Sequence, residues 1–322
     1  MRPHVELIQQ SDLCWHPAEL HGGTGRAMQR HLSYDEEDGS ASTKVIFETV
    51  WDRPGGYHEA DTEWFVLEGK VKMGNEIFGP GMYWRAPAGL RVPEISVEKG
   101  TEILIFREYG DWGFSVSETD KSDFIPEGGN TASEEPGKLT ICDSAKMDWM
   151  DNIYEGDSQR FLQLKILYHD PSPDGENEKG FITLLGWAPP GWSDNRLIHH
   201  PVFEEAYTLT GHMEYNFGRF TPGTYFFRPA KVKHGHFVSG EEMGASWIFR
   251  LDGSLINWVT LNSQVIVKGD AVNYDPKTQG AVISGLPVRS KSTGPWSVAL
   301  PTSPQVAAYK FENIIPFPSQ IL

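Results

Sequence analysis

Short apolar and aromatic segments bounded by Gly, Pro and polar residues recur along the chain, at 43–51, 63–71, 102–107, 181–187, 206–215 and 246–251. They are rich in Val, Ile, Phe, Tyr, Trp and Thr, side chains that fit a pleated, half-buried surface. Runs of this length between turn residues predict β-strands. Apolar spacing at the helical period is weak throughout, and 25–32 is the one stretch where a turn or two of helix is expected. The pattern predicts an all-β protein, a sandwich or a barrel.

The pattern also repeats. Tyr57-His58-Glu59-Ala60-Asp61-Thr62-Glu63-Trp64-Phe65-Val66-Leu67-Glu68-Gly69 aligns with His199-His200-Pro201-Val202-Phe203-Glu204-Glu205-Ala206-Tyr207-Thr208-Leu209-Thr210-Gly211, so that His58, Glu63 and Gly69 fall on His200, Glu205 and Gly211. Further on, Pro80-Gly81-Met82-Tyr83 matches Pro222-Gly223-Thr224-Tyr225. Two copies of one β unit explain both matches. Asp12-Leu13-Cys14-Trp15 and Lys146-Met147-Asp148-Trp149 read as equivalent opening strands. Between the copies, 119–138 is polar and rich in Gly and Pro, a linker by composition. The boundary is placed near residue 136, giving an N-terminal domain over 1–135 and a C-terminal domain over 136–322.

Charge narrows the partners. With 28 Lys and Arg against 44 Asp and Glu, the net charge of −16 repels polyanions and anionic lipid, so neither nucleic acid nor a membrane surface is expected. An aromatic content of 12% excludes wholesale disorder. The two cysteines, Cys14 and Cys142, lack Cys-x-x-Cys spacing, which excludes a disulfide framework and a thiolate zinc site. The chain has no long uninterrupted apolar run, and its start lacks the apolar centre of a signal peptide; a cytoplasmic protein is expected. Phosphate-loop, serine-elbow and His-Glu-x-x-His signatures are absent from the sequence.

The candidate chemistry lies in the second copy, where five of the eleven histidines fall within 199–236 and an even spread would leave one or two. Strand side chains alternate faces, so His200 and Glu204 are expected to point the same way, as are His234 and His236. A carboxylate and two imidazoles converging inside a barrel form part of a coordination shell for Fe(II), Mn(II), Ni(II), Zn(II) or Cu(II), with positions left open. His200, Glu204 and His234 are the expected ligands. His236 is a candidate for a missing ligand or for a proton shuttle beside the metal, or else a loop histidine. His199 turns inward only through a β-bulge, and Glu205 faces the opposite side as a structural carboxylate unless the register slips by one. Arg228 is a candidate to pair with a substrate carboxylate, or is a surface ion pair. Trp187, Trp192, Tyr207, Tyr215, Phe226 and Trp247 either line an interior suited to an apolar or aromatic small molecule or are simply core.

In the first copy His58 survives, but Thr62 stands at the Glu204 position and Val92 or one of its neighbours at the His234 position. One imidazole does not hold a divalent ion against water, so this half is expected to have lost the site and to serve as a structural or dimerising partner; a site of His58, Glu63 and Glu94 is the alternative.

The arrangement His200, Glu204, Gly211, then Gly223, Pro229 and His234, resembles the two sequence motifs of the cupin superfamily. A chain with two such units is similar to a bicupin, which implies two tandem jelly-roll barrels. The Val66-Leu67-Glu68-Gly69 run and the run from Arg228 and Pro229 to His234 and Gly235 resemble most the branch related to the metal-binding domain of the anti-sigma factor ChrR and to cupin-type dioxygenases. Cupins of this type commonly carry a His-x-His pair, and here its first position is Ile198. The resemblance implies a mononuclear metal-dependent enzyme acting on a small molecule, foremost an Fe(II) dioxygenase that cleaves a carbon–carbon bond in a small diketone or aromatic ketone, with Zn(II), Mn(II) or Ni(II) as alternative metals. The alternatives in function are a ChrR-like metal or ligand sensor and a redox-neutral lyase, isomerase or decarboxylase. A homodimer is compatible with either.

Overall fold

The computed structural model describes residues 2–110, 112–117, 139–151, 162–170, 179–253, 257–260, 264–267 and 270–273. The linker expected over 119–138 lies outside them. Among the described residues the regular structure is antiparallel strand, apart from two single 3-10 turns, and no helix is long and apolar enough to cross a membrane. The stretch expected to be helical is instead the strand Ala27–Tyr34, paired along its length with Ala41–Phe47. Ala27, Met28, Gln29 and Arg30 favour a helix locally, but a ladder partner on the neighbouring strand overrides that small preference.

The chain divides into two units. The first comprises Met1–Pro3, Gln10–Met147 and Leu167–Pro173, and the second His4–Gln9, Asp148–Ile166 and Asp174–Leu322. Thr140–Asp143 thus falls in the first unit, beyond the boundary expected near residue 136, because it pairs with Met82–Ala86. Val5–Gln9 pairs with Thr224–Arg228 in the second unit. The sequences read as opening strands are not strands: each connects a 3-10 turn, Gln10–Asp12 or Ser144–Lys146, to a short strand, His16–Pro17 or Met150–Asp151.

Each unit is a jelly roll. In the first, a seven-stranded sheet runs Thr140–Asp143, Met82–Ala86, Asp61–Glu68, Glu102–Glu108, Ala41–Phe47, Ala27–Tyr34, His16–Pro17, and a four-stranded and a three-stranded sheet complete the fold. Its core includes Val45, Phe47, Val66, Phe78 and Ile103, with Trp64 against Trp84 at 4.9 Å between ring centres. In the second, a seven-stranded sheet centred on Thr224–Arg228, Glu204–Gly211, Ala245–Gly253 and Lys179–Ala188 joins a five-stranded sheet that contains Ser193–His199 and His234–Ser239.

Ladder registers match between the units. Thr62 pairs with Ala86 as Glu204 pairs with Arg228, and Gly56 pairs with Val92 as Ile198 pairs with His234. Trp64 opposite Trp84 corresponds to Ala206 opposite Phe226. Replacing a tryptophan by an alanine removes most of a bicyclic ring from the interior, and the second unit is hollow where the first is filled.

Candidate metal centre

That hollow is a cavity of about 60 Å³, room for a few waters or a small molecule. Trp192, Phe220, Phe226, Phe237, Trp247 and Phe249 form much of its wall, and His200, Glu204, Arg228 and His234 supply its charged and imidazole groups. Of the aromatic residues singled out in the sequence, Trp192, Phe226 and Trp247 line it, while Tyr215 lies behind, 5.0 Å from the Arg228 guanidinium. Trp187 and Tyr207 are buried in the unit without lining the cavity.

His200 follows the strand Ser193–His199, Glu204 opens the strand Glu204–Gly211, and His234 opens the strand His234–Ser239. The first two do not share one strand, as the alternation argument assumed. The short turn at 201–203 separates them and brings both to the same end of the barrel. The Nε2 atoms of His200 and His234 are 3.2 Å apart, and Glu204 Oε2 is 3.7 Å from the first and 3.4 Å from the second. Two ligand atoms each ~2.1 Å from an ion lie about 3.0 Å apart at a right angle and about 3.4 Å apart at the tetrahedral angle. The trio fits one divalent transition-metal ion. Among the described residues it is the group of three or more His, Cys, Asp or Glu donors close enough to do so.

The protonation states suit ligation as well. His234 Nδ1 is 3.0 Å from the carbonyl oxygen of Val232, to which it donates, leaving a lone pair on Nε2. Burial, and then the nearby charges of Arg228 and His200, hold the His234 pKa well below the ordinary imidazole value. The ring is neutral, as a ligand must be.

Arg228 is not a surface ion pair. It is 2% exposed, and its guanidinium donates to Glu204 Oε2 at 2.8 Å and to Glu6 Oε1 at 2.7 Å, with its face 3.6 Å from the Phe226 ring. Tyr215 donates its hydroxyl to the other Glu6 oxygen. Burial raises the Glu6 pKa, but the Arg228 charge and the hydrogen bonds from Arg228, Tyr215 and His4 outweigh it and hold the carboxyl below its usual value. The ionised pair of Glu6 and Arg228, with the neutral Tyr215 hydroxyl donating to it, therefore fixes the Glu204 carboxylate from behind. Glu6 carries no motif and lies 222 residues from Arg228 in sequence; the pairing of its strand, Val5–Gln9, with Thr224–Arg228 at the sheet edge is what brings it to the site.

The remaining candidates lie elsewhere. His236 is buried, but the cavity wall takes His234 and Phe237 and not His236. The parity expected of a regular strand is broken because Gly235 has φ +153° and His236 itself φ +57°, both left-handed. A side chain at 235 would meet the Arg196 carbonyl at 2.0 Å, so only glycine allows this turn of the backbone. Neither His236 ring nitrogen has a hydrogen-bond partner among the described residues. His199 packs edge-on against Trp258 with 5.2 Å between ring centres, away from the trio. Glu205 faces the opposite side of its strand from Glu204, fully buried, accepting from Tyr225 at 2.6 Å and paired with Arg250. Glu63 makes the corresponding bond with Tyr83 at 2.8 Å, and so is turned away from His58 by the same alternation.

The architecture resembles solved structures at low sequence identity. A Nostoc punctiforme protein described as a "putative dioxygenase" superposes with a TM-score of 0.58 at 19% identity, over 86% of this chain and 84% of that one. The Escherichia coli protein Ylba gives a TM-score of 0.51 at 16% identity, over 76% and 89%. An oxalate decarboxylase from Bacillus subtilis gives 0.49 at 16% identity, over 80% and 79%. The first two likenesses support the fold, two jelly-roll units in one chain. No curated protein matches the sequence. The family profile for DUF4437, a domain of unknown function, spans residues 6–258, and the chain belongs to that family.

Proposed function

We propose that the protein is a mononuclear Fe(II) dioxygenase that cleaves a carbon–carbon bond in a small diketone or aromatic ketone. The observation that carries this reading is the convergence of His200, His234 and Glu204 on one side of a small aromatic cavity, a donor set of two imidazoles and one carboxylate that leaves coordination positions open. His200, Glu204 and His234 would hold the iron, which would supply Lewis acidity and the activation of O2.

The chain's own groups indicate the kind of substrate. Arg228 is engaged by Glu204 and Glu6, so it acts as a positioning residue for the ligand carboxylate, and its guanidinium is not spare for a substrate carboxylate. The rest of the wall is mostly aromatic and aliphatic. An uncharged dicarbonyl or aryl ketone is desolvated there at little cost, whereas a dianion is not.

The test is oxygen uptake by Fe(II)-reconstituted protein against a panel of small dicarbonyls and aromatic ketones. The expected result is O2 consumption that requires Fe(II) and is lost in His200→Ala. Turnover of a panel member at the same rate without O2 would overturn the dioxygenase reading in favour of a redox-neutral lyase or decarboxylase.

A further inference from the structure

The first barrel carries a different cluster where the second carries its ligands. The positions of Glu204, Arg228 and His234 are taken by Thr62, Ala86 and Val92, each smaller and uncharged. Into the same end project Arg53, His58 and Arg107, all at most 5% exposed. Arg53 follows the core residue Trp51 on the inner face of its strand. Arg107 follows the core residues Ile103 and Ile105 on the inner face of Glu102–Glu108 and lies opposite Thr62 in the ladder.

Arg53 is unusual in what surrounds it. Its guanidinium lies 3.7 Å over the Phe114 ring and within 6 Å of Trp51 and Trp64, and one terminal nitrogen donates to His58 Nε2 at 3.3 Å. Its Nε is buried without a hydrogen-bond partner. Among the described residues no carboxylate pairs with it, although a buried charge normally requires one. Burial, and then the charge of Arg107, push its pKa down to about 9. His58 supplies no counter-charge: an imidazole is neutral or cationic, and burial and both arginines keep this one neutral.

We propose that this end of the first barrel binds a small monocarboxylate on the Arg53 guanidinium, with Arg107 adding to the field. A planar guanidinium fork matches a carboxylate in shape as well as charge. The apolar walls of Phe114 and Trp64 suit the hydrocarbon part of such an acid and disfavour a heavily hydrated phosphate dianion. Trp64 and Trp84 fill the interior further along, so the ligand is short. The site does not depend on the metal of the other barrel or on the reaction proposed there.

The experiment follows the NMR line width of 13C-acetate added to the full-length, chelator-treated protein at ionic strength fixed with chloride. Chelated wild type and His234→Ala should broaden the line equally, and Arg53→Met should weaken acetate binding about tenfold or more. Should Arg53→Met fail to fold, Arg53→Lys keeps the charge but loses the fork and should also weaken binding. The proposal is overturned by an unbroadened line with wild type, by unchanged binding in whichever Arg53 variant folds, by loss of binding in His234→Ala, or by preferential broadening of the 31P line of inorganic phosphate.

Discussion

The two barrels share a ladder register and differ in the charged groups they gather at one end. At corresponding places the second has His200, Glu204, Arg228 and His234, and the first has His58, Thr62, Ala86 and Val92. The edge strand repeats the contrast: Val5–Gln9 brings Glu6 to the site of the second barrel, whereas Thr140–Asp143 at the matching edge of the first supplies the core residue Ile141. At its site the second barrel gathers the carboxylates of Glu204 and Glu6, the guanidinium of Arg228 and the imidazoles of His200 and His234, a set that favours a divalent cation. The first buries Arg53 and Arg107 around a neutral His58, a set that favours an anion. One backbone serves both, and a handful of inward positions decides which.

The largest expected effect concerns a residue that both barrels keep. Glu205→Gln removes the carboxylate paired with the buried Arg250 and should destabilise the second barrel by about 3–5 kcal/mol, seen in denaturant unfolding. Metal occupancy of the folded fraction should stay near that of wild type. Loss of metal from Glu205→Gln, with retention in Glu204→Gln, would show that the ladder is displaced by one residue.

Next is the support of the ligand carboxylate. Arg228→Met removes the group that holds Glu204 and should lower metal affinity about 10–100-fold, measured by competition with a chromogenic chelator. Glu6→Gln should act in the same direction and more weakly, because Arg228 keeps its bond to Glu204. Unchanged affinity in both variants would mean that the chain from Glu6 to Glu204 has no role at the metal.

Much of this was legible through the motif resemblance and the repeat. His200, Glu204 and His234 follow from a motif, and the repeat gives their counterparts in the first half. Two things were not legible. His236 needed strict alternation, which the left-handed Gly235 and His236 break. Glu6 needed knowledge of which strand completes the sheet, and pairing partners at the edge of a sheet leave no mark in local sequence. The misassigned 25–32 segment has the same origin, since its fate is set by Ala41–Phe47 rather than by its own residues.

The smallest effect is the pH dependence that His58 contributes in the first barrel. The folded-state pKa of His58 is depressed below its ordinary 6.5, by burial first and then by Arg53 and Arg107. The unfolded chain therefore binds a proton that the folded barrel does not as pH falls below about 6.5. Stability is fully present above that pH and is lost below it, at up to ~1.4 kcal/mol per pH unit for this residue. His31, also lowered by burial, adds to the slope in the same direction. His58→Leu should reduce the slope by about one proton between pH 6.5 and 5; an unchanged slope would mean that His58 takes up its proton without unfolding.

The central claim, that barrels of one fold carry sites of opposite preference, is tested most directly by the metal stoichiometry of wild type, His58→Ala, His200→Ala and His234→Ala after reconstitution and desalting. The account predicts about one equivalent of metal per chain in wild type and in His58→Ala, and a strong reduction in His200→Ala and His234→Ala. Two equivalents in wild type, or a loss confined to His58→Ala, would contradict it.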